Sequence, residues 1–241
     1  MISIIIPTKN EGKIIEATLN NFKKNFSLPH EIIISDSNSS DNTLEIAGRL
    51  ADKVVTADPA IKQNIAVGRN AGAAAAQGDF LVFFDADCSV KNPDNFFTIA
   101  TDDFKKNPRL VALTGWLRVL PEHETFADKA VFILQNIWMM FVNDVLRIGT
   151  SPGGEFQMIR TDVFRKLGGY NERLVASEDV ELFGRLAKEG RVRLDHRLKV
   201  FHTGRRAHQV GWPKLLSLWF MNTVSMMTRG EAYTKEWREV R

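Results

Sequence analysis

The sequence predicts an α/β protein, a mostly parallel central sheet with helices on both faces. Two observations carry that reading. The apolar runs Ile2–Ile6 (ISIII) and Glu31–Ser35 (EIIIS) are β-branched without polar alternation, as in strands buried on both sides. Strand and helix patterns also alternate through the N-terminal half, which is how a chain builds crossovers between parallel strands.

The elements follow in order. Residues 12–26 space Ile14, Ile15, Leu19 and Phe22 as a helix, and a polar turn from Asp36 to Asn42 follows the second strand. Residues 43–51 read as a helix, 53–56 as a short strand, the Ala-rich stretch 63–77 as a helix and 79–84 as a strand. The second half is less regular: strand at 110–119, helix at 126–146, loop at 147–155, strand at 156–159, helix at 161–167, helix at 177–190 and strand at 199–202. Within 126–146 the run AVFILQNIWMMFV is interrupted by Gln135 and Asn136 and flanked by Asp128, Lys129 and Asp144. That pattern predicts a buried helix, not a bilayer span.

Composition is that of a globular protein, with 44% hydrophobic and 25% charged residues. Cys88 is the one cysteine, which excludes an intrachain disulfide and points to a reducing compartment. The N-terminus MISIIIPTKNEGK has no basic lead before an apolar core, so the expectation is a cytoplasmic protein. The net charge of +3 is unevenly placed: Arg205–Arg241 holds seven Lys or Arg against three Glu, leaving −1 for the rest. That tail also carries Trp212, Trp219, Phe220 and Trp237. Two readings stand for it, a peripheral contact with an anionic membrane surface or a helix packed on the domain with a solvated basic face. No nucleic-acid partner is expected.

In sheets of this kind ligands gather outside the carboxyl ends of the strands. Four polar segments fall there: Pro7–Glu11, Asp36–Asp41, the Gly68–Ala71 region, and Asp85–Asp87 in FLVFFDADCSV. Side chains two apart on an extended chain project the same way, ~6.5 Å apart. Asp85 and Asp87 would then repel each other unless a cation joined them, and a hard divalent ion such as Mn²⁺ or Mg²⁺ suits two carboxylates and a phosphate. The competing reading is that both simply cap turns.

SIIIPTKNE, EIIISDSNSSDNT, GRNAGAAAAQGDFLVFFDAD and GGEFQMIRTDVFRKLGGYNERLVASEDVELFGRLAKEG, in that order, resemble glycosyltransferase family 2, whose members adopt the Rossmann-like GT-A fold. The resemblance runs from about Ile2 to about Arg205. It implies one catalytic domain over 1–205, with a nucleotide-sugar half at 1–105 and an acceptor half at 106–205, then a helical extension at 206–241. It also implies an inverting, metal-dependent transfer from a nucleotide-diphospho-sugar, with UDP favoured, to a hydroxyl of a glycan or a lipid-linked acceptor.

By the same resemblance Pro7, Asn10, Glu11 and Asp36 lie beside the nucleoside, and Arg69 lies near the nucleotide or diphosphate. Asp85 would meet the ribose or the metal's water shell, and Asp87 would ligate the metal, with His202 a further ligand. Asp179, with Glu178 as neighbour, matches the catalytic base, and Trp116, Gly154 and Glu155 face the acceptor. Arg205 and Arg206 could bind phosphate. Each role has a plainer rival. Asp179 suits the first turn of any helix, Arg69 could be a surface helix arginine, and Trp116 could be core. Two positions depart from the pattern, since Ser37 follows Asp36 where a second acid is usual and Asn38 replaces a glycine. A nucleotidyltransferase would carry a glycine-rich loop and a nicotinamide enzyme G-x-G-x-x-G after the first strand, where this chain has PTKNEGK. A catalytically silent nucleotide-sugar-binding partner is the non-enzymatic alternative.

Overall fold

The computed structural model describes residues 1–234, so Trp237 and the end of the basic tail lie outside the described residues. Eight strands form one sheet in the order β3-β2-β1-β4-β7-β6-β8-β5. They are β1 Ile2–Thr8, β2 His30–Asp36, β3 Lys53–Thr56, β4 Phe80–Phe84, β5 Cys88–Ser89, β6 Leu110–Val119, β7 Phe156–Arg160 and β8 Arg191–His202. The pairings β1/β2, β1/β4, β2/β3 and β6/β8 are parallel. β7 is antiparallel to both β4 and β6, and β5 is antiparallel to β8. All strands except β5 and β7 therefore point one way, and the mostly parallel sheet is borne out.

Alternate residues of the strands feed two cores. Ile4, Ile6, Val82, Phe84 and Phe156 enter a cluster with Phe22 and Phe97 on one face. Ile5, Ile33, Leu81, Phe83 and Ile159 enter a second with Phe164, Tyr170 and Phe183 on the other. The covering helices are α1 Ile15–Asn25, α2 Thr43–Leu50, α3 Ile65–Ala74, α4 Pro93–Lys106, α5 Phe126–Met140, α6 Thr161–Lys166 and α7 Glu178–Glu189. The small residues of α3 allow its close approach: a Cβ on Gly72 would come 2.4 Å from Ile5 Cγ2.

The sequence reading omits α4. Its signals are nonetheless present, with Asn92 capping Asn95 N, Pro93 in the first turn and Phe96, Phe97, Ala100 and Phe104 buried at helical spacing. β8 is also longer than the expected 199–202. A register shift against β6 between Gly115 and Trp116 leaves residues 196–198 unpaired and conceals its first half.

The expected buried helix at 126–146 is corrected. α5 starts with a capping box between Thr125 and Asp128 and continues through a π-helical turn, Phe141–Leu146. Only its inner face is covered. Asn136 exchanges two hydrogen bonds with the Leu117 backbone, and Asn143 two with Thr150. The outer face is exposed, since apolar composition does not say which side of a helix meets the sheet.

The basic segment forms α8 Arg205–Val210 and α9 Trp212–Arg229. Asp128, fully buried, fastens them: it accepts from Trp212 Nε1 at 2.8 Å and lies 2.8 Å from His208 Nε2. Burial alone would raise the Asp128 carboxyl. Hydrogen bonds from His208, Thr125 and Trp212 outweigh it and hold the pKa at about 2.

Candidate active site

The site forms where the parallel strands end. β1 delivers Pro7 and Thr8, β2 Asp36, β4 Asp85, and β8 His202 to one edge. Because β7 is antiparallel, it begins at that same edge and brings Glu155 there. The start of α7 adds Glu178 and Asp179. The fold thus gathers charges from distant parts of the chain.

On the expected nucleoside side the loops are tightly built. Asp36 is buried and accepts from Thr8 Oγ1 at 2.9 Å and Ser39 N at 2.7 Å. Asn10 takes φ 53° and accepts from Ser40 N at 2.8 Å. Asn38, the departure from glycine, takes φ 62°. Asparagine tolerates this left-handed conformation better than other side chains, so the backbone the glycine would supply is kept.

Asp85-Ala86-Asp87 is a turn, not the extended stretch expected, with Cys88 N donating to the Asp85 carbonyl at 3.1 Å. Ala86 is buried, its carbonyl accepting from Thr18 Oγ1. The two carboxylates are separated by different cations. Asp85 meets Arg69 Nη2 at 3.2 Å, and Asp87 meets Arg205 Nε at 3.1 Å and accepts from Thr203 Oγ1 at 2.6 Å. Arg205 also holds Glu11 through two contacts of 2.9 Å.

Arg69 is not a surface residue. It is 2% exposed and lies on the Tyr170 ring, with Nη1 donating to Glu178 Oε1 at 2.8 Å. Tyr170 in turn donates to Gln157. Gly154 passes directly over the guanidinium, where a Cβ would come 1.8 Å from Nη2. Arg69 is therefore a strut beneath the cleft, tying the end of β4 to the start of α7. Its burial was signalled by the small residues around it, Ala66, Gly68, Gly72 and Ala73, which mark a deeply packed helix.

Glu178 is buried and spent on Arg69. Asp179 is half-buried, and its Oδ1 accepts from the adjacent Val180 N at 2.8 Å. Ser177 before it takes φ 63°, which turns the chain into α7 at this point. Enclosure by protein, then the neighbouring Glu178 charge, push the Asp179 carboxyl up to about 7, with Arg69 opposing. Glu155 is half-buried, its Oε2 has no hydrogen-bond partner, and burial followed by Asp85 raises its pKa as well. Trp116 sits half-buried on β6.

His202 is 8% exposed, stacked edge-on against Phe132. Its Nδ1 accepts from Gly204 N at 3.2 Å, while Nε2 is buried with no hydrogen-bond partner among the described residues. Burial lowers its pKa, so the ring is neutral and suited to ligate. Ligation through Nε2 would require the proton to move to Nδ1, at the expense of the Gly204 contact. Among the described residues no three His, Cys, Asp or Glu side chains already stand together as a metal cluster. Cys88 is buried, burial raises its thiol pKa, and its Sγ lies 3.8 Å from Asp87 Oδ1.

A large, mostly parallel central sheet with helices on both faces is the GT-A architecture, and the solved structures agree. A mannosyltransferase from Pyrobaculum calidifontis in complex with GDP-Man and Mn²⁺ superposes with a TM-score of 0.66 at 20% identity, over 84% of this chain and 56% of that one. TarS of S. aureus, residues 1–349 in complex with UDP-GlcNAc, gives 0.64 at 20% identity, over 83% and 57%. The family model for glycosyl transferase family 2 matches residues 3–168, and the chain belongs to that family. Curated relatives include the O-antigen chain rhamnosyltransferase WbaN of Salmonella anatum, 27% identical over 78% of this chain, and the succinoglycan biosynthesis protein ExoA of Rhizobium meliloti (strain 1021), 29% identical over 78%. This chain spans 61% and 58% of their lengths.

Proposed function

We infer that the chain transfers a glycosyl group from a nucleoside-diphospho-sugar, with UDP favoured, to an acceptor hydroxyl, inverting the anomeric centre. The observation that carries this is Asp179: a carboxyl with raised proton affinity, without an ion pair among the described residues, beside a neighbour already paired with Arg69. In the reaction the acceptor oxygen forms a bond to the anomeric carbon, its proton passes to an Asp179 carboxylate oxygen, and the bond from that carbon to the diphosphate breaks. One base facing the leaving group enforces in-line attack and hence inversion.

The residues present fit a divalent cation, Mn²⁺ or Mg²⁺. Asp87 and Asp85 supply hard oxygens, and the unpartnered His202 Nε2 a further donor. Bound there, the ion would act as a Lewis acid that neutralises the departing diphosphate. Without it, Arg205 meets part of the same need, pairing with Asp87 and Glu11. Arg205 is thus an internal counter-ion that must yield Asp87 when donor and metal arrive, and it is then placed to pair with phosphate. Arg205→Gln should therefore tighten binding of Mn²⁺ alone by about tenfold, the size of one charge-assisted hydrogen bond. Titration of the protein into Mn²⁺ followed by electron paramagnetic resonance reads this directly.

Donor class is tested by thermal shift with UDP-, GDP- and dTDP-sugars, with and without Mn²⁺. A UDP-sugar with Mn²⁺ at saturation should raise Tm by about 5–10 °C. No shift with any pairing would contradict the reading.

A further inference from the structure

The outer face of α5 and its π turn is apolar and uncovered. Leu134 is 69% exposed, Ile137 54%, Trp138 57%, Phe141 43%, Val145 63% and Ile148 59%. A contiguous apolar surface of this kind marks a contact with a partner or a membrane. From Ala130 to Asn143 there is no charged residue. At the two ends stand exposed Lys129 and Arg147, while the intervening Asp144 lies 3.9 Å from Arg191.

Phe126–Leu146 is long and apolar enough to cross a bilayer, its 21 residues holding an 18-residue window with a mean hydropathy of 1.2. Its inner face rules that out for the folded domain, because Asn136 and Asn143 are hydrogen-bonded to the Leu117 and Thr150 backbone. Such a helix has one way to meet lipid, which is lying along the surface. Charge selects the kind of surface. Basic residues border the apolar face, and Arg205–Gly230 adds four Lys or Arg with no acid, including exposed Lys214 and Arg229 on α9. α9 also presents Leu216, Phe220 and Val224 outward at helical spacing.

We propose that the outer face of α5 and the π turn lies flat on an anionic membrane, its apolar side chains among the lipid chains and Lys129 and Arg147 at the headgroups. The same helix builds the loop that leads to the cleft. Gln135 Nε2 donates to the Pro152 carbonyl at 2.8 Å, and Asn143 grips Thr150. Docked in this way, the Gly153–Glu155 side of the site lies one helix away from the bilayer and suits an acceptor whose apolar anchor stays in the membrane. That consequence rests on the transferase reading; the docking itself does not.

The test is co-sedimentation with vesicles of phosphatidylcholine, and of phosphatidylcholine with about one third phosphatidylglycerol. The wild type should bind the anionic vesicles preferentially, and Leu134→Gln/Trp138→Gln/Phe141→Gln should weaken binding at least about tenfold. A circular-dichroism spectrum and thermal transition matching the wild type show that the variant is folded. Should it not fold, Leu134→Cys carrying an environment-sensitive fluorophore serves instead, since Cys88 is buried. Its emission should shift to the blue with anionic vesicles. Unchanged emission, equal sedimentation of wild type and triple variant, or loss of binding only with Leu216→Gln/Phe220→Gln would overturn the proposal. So would a wild type that ignores vesicles but dimerises in sedimentation velocity through the same three residues. Because vesicle binding needs no nucleotide, failure here is separate from failure of the transferase reading.

Discussion

Asp179→Asn is expected to lower kcat by about 10³-fold while leaving the donor affinity within about threefold of wild type. The amide keeps the size of the side chain and its contact with Val180 N, and it lies outside the Arg69 and Arg205 ion pairs. What it loses is the ability to take a proton. The raised pKa adds a signature. A carboxyl displaced up to about 7 by burial and by Glu178 is ionised only above that range, so wild-type kcat should rise as pH increases through neutrality. An unperturbed carboxylate would already be ionised near pH 5. In Asp179→Asn the residual rate should lose that limb. Glu178→Gln should behave differently, since Glu178 holds Arg69: it should lower the pH of the limb by removing the neighbouring charge. Full activity of Asp179→Asn on the true acceptor would remove the base assignment.

Asp87→Asn is expected to weaken Mn²⁺-dependent donor binding by roughly a hundredfold, the loss of a fully charged contact in a partly dehydrated site. Asp87 is the carboxylate shared between Arg205, Thr203 and the place where a cation would sit. Its amide cannot hold a divalent ion and leaves Arg205 with Glu11 alone. Isothermal titration with a UDP-sugar, with and without Mn²⁺, separates the two contributions. The metal-independent affinity should change little, and the enhancement by Mn²⁺ should vanish. Asp85→Asn should cost less at the metal and more in the fit of Gly154, because Asp85 is tied to the buried Arg69.

What the sequence made legible was the edge, more than the middle, of the site. Strand ends are marked by apolar runs that stop at polar residues, so Pro7, Asp36 and Asp85 could be placed at the sheet edge, whereas His202 was singled out by the family resemblance alone. The geometry between them could not be read. Asp85 and Asp87 sit on a turn, and the cations that part them come from residues 69 and 205, far along the chain. For Arg69 a surface position and a place near the nucleotide both stood open; the small residues of its helix hint at burial, but what covers it, Gly154 and Tyr170, lies about a hundred residues away. α5 misled in the opposite direction. Its apolar composition suggested burial, yet only the stripe with Phe132, Asn136 and Val142 meets the sheet. Glu155 reaches the edge only because β7 runs against its neighbours, a reversal that pattern alone does not reveal.

On the reading proposed above, the carboxylates at this edge, vacated by Arg205, hold a divalent ion against the donor diphosphate. A crystal soaked with UDP-sugar and Mn²⁺ and measured for manganese anomalous scattering should show a peak beside Asp87, with the diphosphate against it and the Arg205 guanidinium moved off Asp87 onto phosphate. A nucleotide bound with no peak there, and Arg205 still paired with Asp87, would overturn that reading.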